Sequence, residues 1–287
     1  MTNAAESWKH GYVTANGIRF HYITEGAGPL LLLLHGFPEN HFSWRYQMGP
    51  LGKRFCVVAP DLRGYNLTER KGPYDIKTLC DDVLGLIRAF GVERAVVAGH
   101  DWGAIILWNF ALEYPEALTK LIALNVSFMP RGPKPPLEML TDARFDYIRF
   151  FQKPGEAEAA IEPDIDGFIR TAFLNNAANK NFISEAELKV FADGFRGPGG
   201  ITPAIEYYRN FNRNWEITAH HAGKKVMTPA LMLLAEKDPV VRPEMADGID
   251  RYVPNVKVAR IDCGHWTQQE APEATNRAIL EFLADVK

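Results

Sequence analysis

Gly-His-Asp-Trp-Gly at positions 99–103 is the stretch that decides the fold, because it carries an acidic residue between a predicted strand, residues 94–98, and a predicted helix, residues 104–114. Such a sharp turn needs small residues on both sides, so that the central side chain stands exposed above the sheet. The familiar version of this turn carries a serine. Here Asp101 takes that position, and a carboxylate that attacks carbon forms an alkyl ester. The alternative is that Asp101 caps the helix, since aspartate is a favoured N-cap residue.

Short apolar runs alternate with helical patterns on both sides of this turn. Apolar runs without polar alternation indicate a sheet that is buried on both faces, and helical patterns between them, such as residues 76–90, indicate crossovers on a mostly parallel sheet. The predicted strands are residues 18–24, 30–34, 55–59, 94–98, 120–124, 230–234 and 256–261, and further helices are predicted at 243–252 and 272–283. The sequence therefore predicts an α/β fold with a mostly parallel, twisted sheet flanked by helices.

Four prolines and one glycine within residues 130–136 interrupt this alternation. From there to about residue 223 the chain is rich in aromatic residues and helical periodicity and carries no convincing strand. We therefore expect one core made of residues 1–129 and 224–287, with an inserted helical cap at residues 130–223.

Composition argues against several classes of function. The net charge is −3, from 32 basic and 35 acidic residues without a long basic run, which argues against nucleic acid as a partner. The three cysteines form no C-x-x-C pair and do not suit a disulfide framework. Residues 1–6 lack the order of a signal peptide, and the longest dense apolar run, residues 30–34, is too short to span a bilayer. A cytoplasmic protein that does not enter the membrane is expected.

Three reactive side chains each directly follow a predicted strand, at the edge where open parallel sheets place their sites. They are Asp101, Asp238 and His265. This chain order matches a triad of nucleophile, acid and base, in which the histidine activates a nucleophile or water and the carboxylate orients the histidine. Taken alone, an aspartate before Pro239 is more typical of a turn, and a histidine after Gly264 is more typical of a loop. The occurrence of all three residues in this order, each after a strand, favours the catalytic interpretation.

A second sharp turn, His-Gly-Phe-Pro at 35–38, also follows a predicted strand. It can direct the backbone N–H of Phe37 toward the nucleophile, and with the N–H of Trp102 this would form an oxyanion hole. The alternative is an ordinary strand-ending turn. No serine lies in a comparable turn, and the pair His220-His221 lacks companion ligands at metal-site spacing, so neither a serine hydrolase nor a metalloenzyme is supported.

These turns, together with Ala-Glu-Lys-Asp at 235–238 and Cys-Gly-His-Trp at 263–266, make the chain resemble the soluble epoxide hydrolases of the α/β-hydrolase fold over nearly its whole length. Residues 145–158 look like the segment that holds the family's first ring-opening tyrosine, which maps to Tyr147. Tyr-Tyr-Arg-Asn at 207–210 looks like the segment that holds the second, which maps to Tyr208 because the family places it directly before Arg-Asn. As isolated residues, both tyrosines would more often be packing residues in an aromatic-rich cap.

The resemblance implies conversion of apolar aryl or alkyl epoxides and water to vicinal diols, without a cofactor or metal. In this reaction Asp101 would form a hydroxyalkyl ester, the two tyrosines would assist ring opening, and His265 with Asp238 would activate water. The expected partners are the small epoxide and water, and a homodimer is left open. The predicted aromatic pocket consists of Phe37, Trp102, Tyr147, Tyr208 and Trp266, with Phe128 and Phe151 as weaker candidates.

Other classes stay open. Haloalkane dehalogenases share the aspartate, the histidine and a tryptophan after the nucleophile, but they commonly carry a halide donor where this chain has Phe37 and have no evident role for the tyrosines. Fluoroacetate dehalogenases carry an arginine at the position of Trp102. A small-ligand receptor on the same fold would not require an intact triad with two phenols. One departure from the epoxide hydrolase pattern is Asn-Leu-Thr at 66–68, where many relatives continue with Gly-x-Ser.

Overall fold

A computed structural model describes residues 8–287 of the chain. Within that range, eight strands form one sheet in the spatial order β1-β2-β4-β3-β5-β6-β7-β8. β1 and β2 pair antiparallel with their neighbours, and all other pairings are parallel. The strands are β1 (Lys9–Ala15), β2 (Ile18–Glu25), β3 (Leu30–Leu34), β4 (Cys56–Pro60), β5 (Ala95–His100), β6 (Leu118–Leu124), β7 (Ala230–Ala235) and β8 (Val256–Ile261).

Helices connect the parallel strands and cover the sheet, as the alternating pattern predicts. The α-helices are α1 (Arg45–Gly52), α2 (Ile76–Ala89), α3 (Trp102–Glu113), α4 (Pro136–Met139), α5 (Asp146–Phe151), α6 (Glu156–Ile161), α7 (Ile165–Asn176), α8 (Glu185–Asp193), α9 (Thr202–Arg209), α10 (Phe211–Ile217), α11 (Thr267–Glu270) and α12 (Pro272–Phe282). Short 3₁₀ helices span His41–Trp44, Pro115–Ala117, Ala143–Phe145, Glu162–Asp164, Ala219–His221, Pro243–Ala246 and Ile249–Arg251. No helix among residues 8–287 is long and apolar enough to cross a membrane.

The centre of the sheet is the core of the protein. Every residue of β3, β5 and β7 is buried, because these apolar strands have helices on both faces. By contrast, β8 forms an edge of the sheet and alternates between half-buried and exposed residues over most of its length. The predicted α/β fold is confirmed.

The structure contains one strand that the sequence analysis misses. β1 pairs with β2 through a two-residue turn at Asn16 and Gly17, whose φ angles are 43° and 74°. Two consecutive positive φ angles define the tightest hairpin turns, and Asn-Gly is their strongest sequence signal. Most residues of β1 are exposed or half-buried, so this edge strand has no apolar run to reveal it.

The helix predicted at residues 243–252 is wrong. The segment folds as two 3₁₀ helices, Pro243–Ala246 and Ile249–Arg251. Gly248 lies between them with a φ of 76°, a left-handed conformation that glycine adopts without steric cost and that interrupts a helix.

Between β6 and β7 the described chain contains helices and no strand. We call residues 130–223 the helical insertion; the division into this insertion and a core of 1–129 and 224–287 stays a prediction, and residues 1–7, including the segment judged to lack a signal peptide, lie outside the described residues. The Tyr207 hydroxyl of the insertion donates a hydrogen bond of 2.7 Å to the Arg63 carbonyl, and the Trp266 indole donates one of 2.8 Å to the carbonyl of Phe173 in the insertion. Since Arg63 and Trp266 both follow the ends of core strands, the insertion packs on the carboxyl edge of the sheet.

Candidate active site

Asp101 occupies a strained backbone position between β5 and α3, with φ 50° and ψ −116°. A Cβ on Gly99 would lie 2.4 Å from backbone atoms of Gly103, and a Cβ on Gly103 would lie 2.2 Å from the carbonyl oxygen of Leu34. Both positions therefore require glycine for the turn to close. Positive φ in a non-glycine residue is costly and concentrates at functional sites.

The Asp101 side chain does not cap α3: in the described chain it makes no cap hydrogen bond to the helix. Instead its Oδ1 accepts a hydrogen bond of 2.9 Å from the backbone N–H of Phe37. A Cβ on Gly36 would lie 2.4 Å from the Asp101 Cβ, so the second turn approaches the first as closely as a glycine permits. Trp102 is the first residue of α3, where an α-helix leaves backbone N–H groups without internal acceptors.

His265 and Asp238 lie together, as their positions after adjacent strands predict. The His265 Nδ1 is 2.7 Å from Asp238 Oδ2, and its Nε2 is 3.8 Å from Asp101 Oδ2. Both residues are buried, and the backbone N–H of His265 donates to the carbonyl of Asn176 in the insertion. The imidazole thus links the two carboxylates.

Asp238 takes part in both of the interactions that the sequence left as alternatives. Its Oδ1 accepts hydrogen bonds of 2.9 Å from the backbone N–H groups of Val240 and Val241, which shapes the turn. Its Oδ2 faces His265. The turn therefore fixes the Asp238 carboxylate, and this carboxylate orients the His265 imidazole.

Asn125 is a partner of Asp238 that the sequence analysis misses. Its Nδ2 donates a hydrogen bond of 2.7 Å to Asp238 Oδ2, and its Oδ1 accepts one of 2.7 Å from the hydroxyl of Thr267. Asn125 has a φ of 64° directly after β6, which asparagine tolerates better than most residues. A polar residue at the carboxyl end of a central strand was the available signal.

The charges of Asp101 and Asp238 shift the pKa of His265, and the charge of His265 shifts that of Asp238. Burial by itself lowers the pKa of the His265 imidazole, but the negative charges of Asp238 and then Asp101 raise it to about 9. Burial by itself raises the pKa of the Asp238 carboxyl, but the charge and hydrogen bond of His265 lower it to about 2. At neutral pH the free protein therefore holds an imidazolium between these carboxylates.

A buried ion pair behind the triad is a second feature that the sequence analysis misses. The His100 Nδ1 is 2.7 Å from Glu39 Oε2, and its Nε2 is 2.8 Å from the carbonyl oxygen of His265. Both ring nitrogens of His100 therefore face oxygen atoms. Burial by itself raises the pKa of the Glu39 carboxyl, but the charge of His100 brings it below its usual range. The contact from His100 fixes the backbone carbonyl of His265.

The aromatic side chains predicted to form a pocket meet around Tyr208. Its ring centroid lies 5.2 Å from the ring of Phe37, 5.2 Å from that of Trp102 and 5.8 Å from that of Tyr147. Phe151 joins the same cluster, 5.2 Å from Tyr208. Further members that the sequence analysis misses are Phe168, Phe195 and Phe211, which pack against Phe37, Trp102 or Tyr208.

The structure separates the two adjacent tyrosines. Tyr207 is fully buried and its hydroxyl is bonded to the Arg63 carbonyl. Tyr208 faces the aromatic cluster. Burial raises the pKa of the Tyr208 phenol well above its usual range, with Tyr147 and Asp101 adding to the effect, and burial and then Asp101 raise the pKa of Tyr147. Both phenols stay protonated at neutral pH.

Two predicted pocket residues lie elsewhere. Trp266 stacks on Phe173 at 4.2 Å, and its other aromatic neighbours are His100 and His265 rather than the cluster around Tyr208. Its indole N–H is bonded to the Phe173 carbonyl. Phe128 packs against Trp108 and Tyr252. Aromatic composition predicted that these rings lie together, but only the packing shows which of them do.

The structure changes one further expectation and gives the contacts of the unusual segment at 66–68. His220 and His221 do have a companion ligand: the Glu113 Oε2 lies 2.8 Å and 2.9 Å from their Nε2 atoms, which corrects the statement that the pair lacks one. The unusual segment at 66–68 is bound to Asp61, since Asn66 Nδ2 donates to its carboxylate and the Thr68 hydroxyl to its carbonyl.

Comparison with known proteins gives one consistent result. The family model described as the alpha/beta hydrolase fold matches residues 29–272. The chain is 34% identical to epoxide hydrolase A of Mycobacterium tuberculosis, over 96% of this chain and 97% of that protein. The structure is similar to the crystal structure of an epoxide hydrolase from Vigna radiata, with a TM-score of 0.91, 34% identity and 98% of each chain covered.

Some relatives are longer proteins, and the chain is similar to only part of their length. The chain is 36% identical to bifunctional epoxide hydrolase 2 of Sus scrofa over 96% of this chain, but it spans only 55% of that protein.

Proposed function

The chain belongs to the epoxide hydrolases of the α/β-hydrolase fold, and from this premise we propose that it converts apolar aryl or alkyl epoxides and water to vicinal diols through a covalent ester on Asp101. One observation carries the proposal. The Asp101 carboxylate accepts a hydrogen bond from the Phe37 N–H and lies 3.8 Å from the His265 imidazole, while Tyr147 and Tyr208 close the aromatic cluster that includes Phe37.

In the first step, an Asp101 carboxylate oxygen attacks an epoxide carbon, the C–O bond of the ring breaks, and a hydroxyalkyl ester forms. The carboxylate is fixed for this attack by the Phe37 N–H and by the strained turn on which it stands. Preorganisation of this kind removes the need to orient the nucleophile during the reaction.

Ring opening releases an alkoxide, which is a strong base and needs a proton donor as the bond breaks. Tyr147 and Tyr208 suit this role because burial keeps both phenols protonated. Their ring centroids are 5.8 Å apart, and both rings lie in the cluster that contains Phe37, whose N–H binds Asp101. The phenols would hold the epoxide oxygen while the carbon faces Asp101.

In the second step, His265 takes a proton from water, and the water attacks the ester carbonyl. The Phe37 and Trp102 N–H groups would stabilise the oxyanion that forms. When it collapses, the ester C–O bond breaks, the proton on His265 passes to the leaving diol oxygen, and the proton of the new Asp101 carboxyl returns to the tyrosine that gave one up. The Asp101 charge contributes to the high pKa of His265, and esterification removes that charge. Loss of that charge lowers the pKa of the imidazole, so it can release its proton to solvent and act as the base only after the first step, while Asp238 and Asn125 keep its orientation.

The substrate class follows from the rings that surround Tyr208. Phe37, Trp102 and Phe151 are buried, and their apolar rings surround the Tyr208 ring. Apolar walls with a few convergent polar groups are typical of small-molecule pockets and favour an uncharged aryl or alkyl epoxide. Epoxide and water are the only partners that this mechanism needs. The free thiols of all three cysteines support a reducing, cytoplasmic location.

A paired turnover assay tests the function. Purified protein is incubated with aryl and alkyl terminal epoxides, and diol is measured; matched haloalkanes are assayed for halide release. We expect diol without halide. Halide without diol would assign the chain to the haloalkane dehalogenases, and neither product from a broad panel would favour a ligand-binding role.

Replacing the phenols tests the proton donors. We expect Tyr147→Phe and Tyr208→Phe each to slow formation of the alkyl-enzyme by roughly 10- to 100-fold, and the double variant by at least about 10⁴-fold, because a positioned general acid contributes about 10²–10⁴-fold. Single-turnover kinetics that follow the alkyl-enzyme measure this step directly.

Tyr207→Phe is the matched control for these variants. It removes a hydroxyl next to Tyr208 that is bonded to the core carbonyl of Arg63, so it should affect stability more than the rate of alkylation. A double variant at 147 and 208 that retains wild-type alkylation would show that the acids are wrongly assigned.

A further inference from the structure

A second cluster of ionisable groups lies where the end of the helical insertion meets the core. Glu113 is the last residue of α3, and His220 and His221 form the 3₁₀ helix after α10. The Glu113 Oε2 lies 2.8 Å from His220 Nε2 and 2.9 Å from His221 Nε2. One carboxylate oxygen therefore faces two imidazole nitrogens.

Hydrogen-bond accounting shows that this cluster needs a cation. The His220 Nδ1 lies 3.1 Å from the carbonyl oxygen of Ile217, which can only accept, so in a neutral ring the hydrogen is on Nδ1. The Nε2 lone pair of that ring then faces the Glu113 carboxylate. Among residues 8–287, no lysine or arginine forms an ion pair with Glu113. Either an additional proton or a metal ion must stand between these electron-rich atoms.

We propose that Glu113, His220 and His221 form a binding site for a divalent transition-metal ion of the Zn²⁺ class. Two imidazoles and one carboxylate are a ligand set that binds Zn²⁺ with water in the fourth position. Their ligand atoms all lie within 4.8 Å of one another. Ligand atoms around tetrahedral Zn²⁺ are about 3.3 Å apart, so each nitrogen needs to move from the carboxylate by roughly half an ångström.

The surroundings of the cluster support this assignment. The hydrogen bond from His220 Nδ1 to a backbone carbonyl is the interaction that metal-binding histidines usually make with their second nitrogen. The His220 side chain is 50% exposed, which leaves an approach from solvent for the ion and its water ligand.

One feature limits the affinity. The His221 Nδ1 is buried and has no hydrogen-bond partner among the described residues. When a metal binds Nε2, the proton of the neutral ring must sit on Nδ1, where no acceptor receives it. A micromolar rather than nanomolar dissociation constant is therefore expected, and binding should weaken below pH 6 as protons compete for the ligands.

A second cluster of possible metal ligands among the described residues, formed by His21, His41 and Asp61, does not need a metal. His21 Nδ1 and His41 Nδ1 lie 2.7 Å and 2.8 Å from the two carboxylate oxygens of Asp61, so two neutral rings can each donate an N–H. His10 Nδ1 lies 2.9 Å from the remaining nitrogen of His21 and donates to it. Protons alone satisfy these contacts.

Zn²⁺ titration of untagged, chelator-treated protein tests the proposal. Calorimetry at pH 7.5 should give one Zn²⁺ per chain, and Co²⁺ should give the visible absorption of a tetrahedral site. Glu113→Gln and the double variant His220→Ala/His221→Ala should lose saturable binding while keeping the wild-type circular dichroism spectrum. His10→Gln replaces an exposed histidine outside the cluster and should bind as the wild type does.

A further variant distinguishes this cluster from the catalytic residues. His265→Gln should still bind Zn²⁺, since His265 lies in the triad and not among the three ligands. Loss of binding in His265→Gln together with retention in Glu113→Gln would place the ion at Asp101 and overturn the proposal. Absence of saturable binding in the wild type would also overturn it, leaving protonation as the source of the positive charge.

Discussion

Asp101→Asn is expected to reduce the initial rate of diol formation by at least about 10⁴-fold, which corresponds to about 5.4 kcal/mol of activation free energy. The amide that replaces the carboxylate is not nucleophilic toward carbon, whereas every other catalytic group is retained. The variant should fold, because asparagine tolerates the left-handed φ of 50° and its Oδ1 can still accept the Phe37 N–H. Diol formation is measured on freshly purified protein.

Slow recovery of activity is the main complication of this experiment, since deamidation restores aspartate. Intact mass measured beside each rate identifies it. Asp75→Asn is a matched control: Asp75 caps α2 by accepting from the Thr78 N–H, and asparagine caps equally well. An Asp101→Asn protein with its amide intact and an initial rate within tenfold of wild type would remove Asp101 from the mechanism.

His265→Gln is expected to separate the two steps. Attack by Asp101 does not need the imidazole as a base, but activation of water does, so the alkyl-enzyme should form and persist. Turnover should fall by at least about 10³-fold. The mass of the protein should increase by that of one epoxide after incubation, and peptide mapping should locate the addition on Asp101.

The double variant Asp101→Asn/His265→Gln provides the control for this trapping. It should stay unmodified, which excludes alkylation of other nucleophiles such as Cys56. An unmodified His265→Gln protein after incubation with an epoxide that the wild type converts rapidly would contradict the proposed division of labour. It would mean that the imidazole is already needed for ring opening.

Local sequence patterns predicted the strands and the turns that follow them. The apolar runs at residues 30–34 and 230–234 became buried strands because only helices on both faces can remove such runs from water. Gly99 and Gly103 predicted the turn at Asp101 because no side chain fits where the backbone approaches itself so closely. Parallel strands end at one edge, so Asp238 and His265 were expected to meet there, and they do.

Patterns of this kind were weakest where few apolar contacts hold the chain. β1 was missed because an edge strand is half exposed, although Asn16-Gly17 carried its turn signal. The predicted helix after β7 failed because Gly248 takes a left-handed conformation there. In both places turn residues with positive φ angles decide the structure, and hydrophobic periodicity carries no information about them.

The sequence by itself determined the fold class, the turn at Asp101 and the positions of Asp238 and His265 after their strands, because these depend on rules that act over a few residues. Only the tertiary structure decided which side chains meet. Asn125 binds Asp238, which is 113 residues away along the chain, and Glu113 contacts His220, which is 107 residues away. The tertiary structure also decided that Tyr208 and not Tyr207 faces the aromatic cluster, and that Trp266 packs outside it. A side chain's partner depends on which surfaces pack together, and no local pattern of residues encodes a contact between distant segments.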